Sequence, residues 1–355
     1  MSRSASLVLL LAAALATSAT PVHAQSAILT LPDISQGARV TQRIGLTDIS
    51  VAYHRPSVAG RKVFGGLEAY GHVWRAGANL NTVIELTDPV TVEGHALARG
   101  VYGLHMIPGE TSWVVIFSKN ATSWGSFSYD STEDALRVTV RPQTTPLTEV
   151  LSYTFDEPTD HSVQLTMRWE HVAVPVRIDV DVPHLVAASL RNQLRGRIQT
   201  EWPAWEEAAN YLLANSLDAA EALRFADQSV AIDDRFENEI TRARALTALG
   251  RASEARAAQA KAVSLGTQAQ VYAFGRGLQR LGQQAVALEL YRTDSRRSPG
   301  TWIAHQELAR LAVAAGDFGG ATRELQAAHA IAPADARESI EQMLAQVGAR
   351  VDINR

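Results

Sequence analysis

The hydrophobic period changes once along this chain, and that change constrains the fold more than any other feature. Between residues 38 and 182 the apolar positions recur every second residue; from about Ser189 they recur every third or fourth. Val163, Leu165, Met167 and Trp169 alternate with Gln164, Thr166, Arg168 and Glu170, the pattern of a strand with one buried face. Leu151, Tyr153 and Phe155 repeat it one segment earlier, and Trp113–Phe117 is a continuous apolar run suited to a strand covered on both sides. Further strands are predicted at Val40–Ile44, Ile49–Tyr53, Thr82–Leu86, Val90–Val92, Val101–Ile107, Val138–Val140 and Val172–Ile178. Pro56, Asp88-Pro89, Glu93-Gly94, Pro108-Gly109 and Pro142 punctuate them. About ten short strands with no crossover helix between them predict an antiparallel β-sandwich or barrel and argue against a parallel α/β sheet.

Beyond Ser189 alanine dominates. Helices are predicted at Ala219–Ile232, Glu237–Leu249, Ser253–Leu265, Gln268–Leu281, Gln284–Arg296, Trp302–Ala315, Phe318–Ile331 and Ala334–Val347, after one that opens with Pro203 in its first turn. Gly250, Gly282 and Gly316 follow the first helix of three successive pairs, at spacings of 32 and 34 residues. Ala255, Ala287 and Ala321 each lie five residues further on. Small residues let paired helices approach, and glycine ends a helix in the left-handed conformation. The last unit, Trp302 to Pro333, has Ala309, Gly316, Phe318, Ala321, Leu325 and Ala328 at the spacings of a tetratricopeptide repeat, and a degenerate unit precedes the three around Ala222, Ala226 and Ser229. A plain helical bundle is the alternative. The expected architecture has two domains, β then α: residues 25–183 as the β domain and 189–350 as tetratricopeptide-like repeats.

The first 24 residues read as a secretory signal peptide. Arg3 supplies the positive charge, Leu7–Ala16 is an apolar run too short to span a bilayer, and Val22-His23-Ala24 fits the cleavage rule before Gln25. Arginine outnumbers lysine 30 to 3, which points to a GC-rich bacterial genome and so to a periplasmic or secreted protein. The 355 residues contain no cysteine, which excludes disulfides, thiolate metal sites and a cysteine nucleophile. A net charge of −4 disfavours nucleic acid as a partner.

One stretch carries identity: Arg55-Pro56-Ser57, then Gly60-Arg61-Lys62-Val63-Phe64-Gly65-Gly66, then Tyr70-Gly71-His72-Val73-Trp74-Arg75-Ala76-Gly77-Ala78-Asn79. With Val92-Glu93-Gly94, Ala98-Arg99-Gly100-Val101-Tyr102, Ile107-Pro108-Gly109-Glu110, Phe117-Ser118-Lys119-Asn120, Trp124-Gly125 and Tyr129-Asp130, it resembles the bacterial domain-of-unknown-function family 2911 over residues 30–180. The resemblance implies an exported protein with a β-rich domain, and no activity.

Arg55, Arg61 and Arg75 are forks of donors suited to carboxylate or phosphate. Asn79 offers an amide, Glu85 an arginine partner, and Trp74 and Trp124 flat apolar faces. These seven residues are the candidate site for an anionic or sugar-like ligand; the competing reading makes the arginines ties for a long loop. The loop is expected to be ordered, because Phe64, Leu67, Tyr70, Val73 and Trp74 can pin it. His54, His72, His105 and His161 could reach a metal with Glu85 or Asp130, yet no HExxH or His-x-His spacing supports that. The nucleotide-loop and serine-nucleophile motifs are absent, so no residue is assigned a catalytic, cofactor or metal role and no cofactor is expected. The leading expectation is a non-catalytic binding or scaffold module whose helical repeats take a protein or peptide partner. A periplasmic enzyme or small-ligand binder using loop 55–79 is the second.

Overall fold

The computed structural model describes residues 32–355. The expected signal peptide lies outside the described residues. Ten strands come first: β1 (Gln36–Ile44), β2 (Thr47–Arg55), β3 (Thr82–Leu86), β4 (Val90–Val92), β5 (His95–Leu97), β6 (Gly100–Ile107), β7 (Trp113–Ser118), β8 (Asp134–Val140), β9 (Gln143–Asp156) and β10 (Ser162–Asp179). They form two antiparallel sheets, ordered β1-β2-β3-β6-β7-β8 and β5-β4-β10-β9, so the domain is an open sandwich rather than a closed barrel. Alternate residues of both sheets fill one core: Ile49, Val51, Ile84, Leu104, Met106, Val115 and Phe117 from one, Leu151, Tyr153, Leu165, Met167, Val174 and Ile178 from the other. β5 is not predicted because His-Ala-Leu lacks the alternation that marks the equally short β4: only Leu97 of its three residues is buried. It is joined to β4 through Glu93-Gly94, both at positive φ, the two-residue turn that matches strand twist.

Two predicted strands are one. Val163–Trp169 and Val172–Ile178 both belong to β10. Up to Trp169 the odd-numbered residues point inward; beyond it Val174, Val176 and Ile178 do. The parity changes because the pairing with β9 slips around Glu170, which sits at φ 55°. A left-handed residue at a register shift turns the strand so that the faces of everything after it are exchanged.

Ten helices follow: α1 (Val182–Gln193), α2 (Trp202–Ala214), α3 (Ala219–Ile232), α4 (Phe236–Ala248), α5 (Ala252–Leu265), α6 (Gln268–Arg280), α7 (Gln284–Arg297), α8 (Trp302–Ala314), α9 (Phe318–Ile331) and α10 (Ala334–Gly348). The helical part begins at Val182, ahead of the change of period. Asp181 caps α1 through the His184 N–H, and Pro183 lies in its first turn, where a missing N–H costs nothing. Val182 and Leu185 pack on the sandwich core, while Ala187 on the same helix joins the helical core.

Turns of two to four residues join α2 to α10 into successive packed hairpins. Gly250, Gly282 and Gly316 sit at φ 74°, 76° and 79° after α4, α6 and α8. At each, the glycine N–H and the next N–H return to carbonyls of the last turn: Gly250 to Thr247 and Arg251 to Leu246, with equivalents at Gln279 and Leu278 and at Val313 and Ala312. These are Schellman closures. Ser216, 34 residues before Gly250, makes the same closure after α2 at φ 53°, with Ser216 bonding Leu213 and Leu217 bonding Leu212. The degenerate first unit therefore keeps the repeat geometry with a serine in the glycine position. Ala222, Ala226, Ala287 and Ala321 are fully buried where helices meet.

Candidate functional site

The segment between β2 and β3 has no strand of its own, yet it is held as firmly as one. Phe64 inserts among three tryptophans, 4.7 Å from Trp113 and 5.9 Å from Trp74 and Trp169, ring centre to ring centre. Trp74 stacks on Trp169 at 5.7 Å, donates its indole N–H to Gly77 O, and exchanges both backbone bonds with Met106. The Tyr153 hydroxyl and Thr82 Oγ1 both donate to Ala76 O. Glu170, turned by the bulge, accepts the N–H groups of Val63 and Phe64. Burying aromatic surface fixes the loop, and its backbone groups must then find partners.

That fixing brings Arg55, Arg61 and Arg75 to one cavity of about 400 Å³, together with Ile34, Pro56, Leu67, Glu68 and Trp169. Arg55 gives Nε to Leu151 O. Arg61 gives Nε to Val58 O and one terminal nitrogen to Ser57 O. Arg75 gives one terminal nitrogen to Asn79 O, and its guanidinium lies 5.4 and 5.7 Å from the ring centres of Trp124 and Phe127. Among the described residues no carboxylate forms an ion pair with any of the three. Arg39, Arg43, Arg137, Arg168 and Arg177 of the same domain all have one.

The other sequence candidates fall elsewhere. Trp74 is buried in the aromatic core rather than at the cavity. Asn79, left-handed at φ 56°, ties its amide to Ser35 O and its carbonyl to Arg75. Trp124 is exposed and stacks on Phe127, touching the site only through Arg75. Glu85 does not join: strand alternation puts it on the outward face of β3, 3.6 Å from Arg39, while Ile84 and Leu86 point inward. The histidines are scattered. His54 meets Asp33, His72 meets Tyr70 O, and His105 is buried against Ser126, where desolvation pushes its imidazole down to about 4. Among the described residues no three His, Asp or Glu side chains are grouped to hold a metal.

Two residues that matter escaped the sequence reading. Glu68 is the single acid between Arg55 and Asn79, and that isolation among basic residues was the available signal. Burial pushes its carboxyl up to about 7, with Arg75 pulling the other way. Trp169 lines the cavity and is 1% exposed, and its indole N–H has no partner among the described residues.

The helical array offers a second concave surface. Two adjoining clefts of about 340 and 410 Å³ share Gln259, Phe274 and Leu278. Ile240, Leu281, Val286 and Leu290 extend their apolar lining, and Arg244 and Arg256 stand among them. The clefts lie where the apolar core of α1–α5 ends and that of α6–α7 begins. Further along, Asp352–Asn354 is seated against α6 and α8: Asn354 bonds Gln279 Nε2 and Arg310 O, and Arg310 and Arg276 both donate to Ile353 O. Among the described residues no helix is long and apolar enough to cross a membrane.

No curated protein matches the chain. Solved structures similar to it include those described as the Cut9–Hcn1 hetero-tetramer of APC/C, MamA, and YrrB, "a TPR protein with an unusual peptide-binding site". Their identities are 19%, 15% and 18%, with TM-scores of 0.30, 0.30 and 0.27. The matches cover 48%, 46% and 46% of this chain, and 33%, 92% and 93% of theirs, so the chain spans about a third of the length of the first. Residues 35–178, essentially the whole sandwich, match the family described as "Protein of unknown function (DUF2911)", and a tetratricopeptide-like helical array follows that domain.

Proposed function

We propose that the protein is an exported, non-catalytic scaffold whose helical array captures a peptide segment of a partner protein. The observation that carries this reading is the apolar cleft around Phe274 and Leu278. Leu281 is 75% exposed and Val286 50% exposed beside it. They continue the apolar lining of the clefts to the surface, and a contiguous exposed apolar patch marks an interaction site. Arg244 and Arg256 give the occupant its chemistry, since Glu289 in the same lining is paired with Arg292. Arg244 bonds only the Asn210 amide, and among the described residues neither arginine has an acidic partner. An apolar segment flanked by Asp or Glu complements both features. The seat of Asp352–Asn354 on α6 and α8 supports the reading, because side chains there already hold a non-helical segment by its carbonyls and amide.

The test is a panel of labelled peptides with Leu/Phe anchors, made with acidic, neutral or basic flanks and read by fluorescence anisotropy. Acidic-flanked peptides are expected to bind best. Leu281→Glu and Val286→Glu, both at exposed positions, are expected to abolish binding without changing the melting temperature. Equal binding by all three flank classes, or by the two variants, would refute the proposal.

A further inference from the structure

The cavity of the β domain has donors in excess and almost nothing to receive them. Among the described residues Arg55 keeps both terminal nitrogens without a partner, Arg61 keeps one, and Arg75 keeps one and its Nε. Bonds to Leu151 O, Val58 O, Ser57 O and Asn79 O fix where these guanidinium groups lie without neutralising them, since a carbonyl removes no charge. A purely structural tie would leave three like charges around one cavity in a domain whose other tied arginines meet carboxylates. Trp169 lines the same cavity, is 1% exposed, and has an indole N–H that finds no partner among the described residues. Buried donors of this kind are rare in folded proteins and require an explanation.

We propose that this cavity is a binding site for a small organic oxyanion, a molecule with a carboxylate or phosphate group on a compact body. Guanidinium forks match the paired oxygens of either group. Leu67, Ile34, Pro56 and the Trp169 ring supply an apolar wall for the body, and the volume is near the lower end of ordinary ligand sites. Among the described residues Glu68 is the only acid in the lining. Its burial keeps it from supplying a full counter-charge near neutrality. The site is separate from the helical cleft and shares no residue with it, so either proposal can fail alone.

The experiment titrates the purified protein with inorganic phosphate, succinate and glucuronate, with glucose as neutral control and sodium chloride at matched ionic strength. Melting temperature and the ¹H–¹⁵N indole resonance of Trp169, assigned through Trp169→Phe, are the readouts. At least one anion is expected to raise the melting temperature saturably, as a ligand selective for the folded state must, and to move that resonance. Arg55→Gln is expected to weaken binding at least tenfold. Arg55→Lys, which keeps the charge and loses the fork, should also weaken binding and serves if the first variant unfolds. An anion response no larger than that of sodium chloride would overturn the proposal. So would an equal response to glucose, or unchanged affinity in a folded Arg55 variant.

Discussion

Glu170 accepts the backbone N–H groups of Val63 and Phe64 on its two carboxylate oxygens, at 3.2 and 3.4 Å, across a separation of 107 and 106 residues. The register of β10 with β9 shifts on either side of the same residue. One irregularity thus both inverts the strand's parity and aims an acceptor at the arginine-bearing loop. Glu170→Ala strands two partly buried N–H groups and should cost about 1–3 kcal/mol. Glu170→Gln retains one acceptor and should cost less. Urea unfolding followed by tryptophan fluorescence checks both, since Trp74 and Trp169 stack beneath the loop.

Arg75→Ala removes a charge-assisted bond to Asn79 O and a cation stacked against Trp124 and Phe127. The expected loss is about 1–2 kcal/mol, discounted for partial exposure. Arg99, exposed in the turn before β6, has no comparable contact, and Arg99→Ala should melt like wild type. Equal melting of the two variants would show that the arginine does not hold the loop.

Ser216 performs a glycine's task. A side chain at φ 53° crowds its own backbone, so Ser216→Gly should stabilise the array by about 1 kcal/mol. Gly282→Ala should destabilise it by a similar amount. Thermal denaturation of the three proteins should rank them in that order, with wild type in the middle.

Glu307 is fully buried between α7 and α8, facing Asp294. Burial, then the charge of Asp294, pushes its carboxyl up to about 9. The folded state thus holds a proton that the unfolded chain releases near 4.5. This group's contribution is complete below that pH and is lost progressively as pH rises toward 9. Glu307→Gln keeps the shape and drops the titration. Its stability between pH 6 and 9 should fall less than that of wild type, measured by chemical denaturation at each pH.

Export predicts a mature chain that begins near Gln25. Intact-mass spectrometry of the protein secreted by its host should show loss of residues 1–24. A retained Leu7–Ala16 segment would place the protein elsewhere.

Much of the fold was legible because its determinants are local. The spans of α3–α10 agree with the 3.6-residue period to within a residue or two, and the closing glycines sit where their spacing placed them, whereas α1 is not among the predicted helices. Strand positions followed from period two. Ser216 was missed because serine has no sequence preference for a left-handed closure; only its carbonyl partners reveal it. β10 was divided in two because a bulge looks, in one dimension, like an ending.

The sequence by itself determined the two-part architecture, the repeat, and the list of arginines able to meet an anion. Periodicity and glycine placement act over a few residues, so they are written in consecutive positions. Only the tertiary structure decided which of those residues share a site. It joined Arg55, Arg61 and Arg75 through a loop clamped by Glu170, added Glu68 and Trp169, and sent Glu85 to the opposite face. Those outcomes depend on strand register between segments from 16 to 107 residues apart, where a one-residue slip exchanges inside for outside.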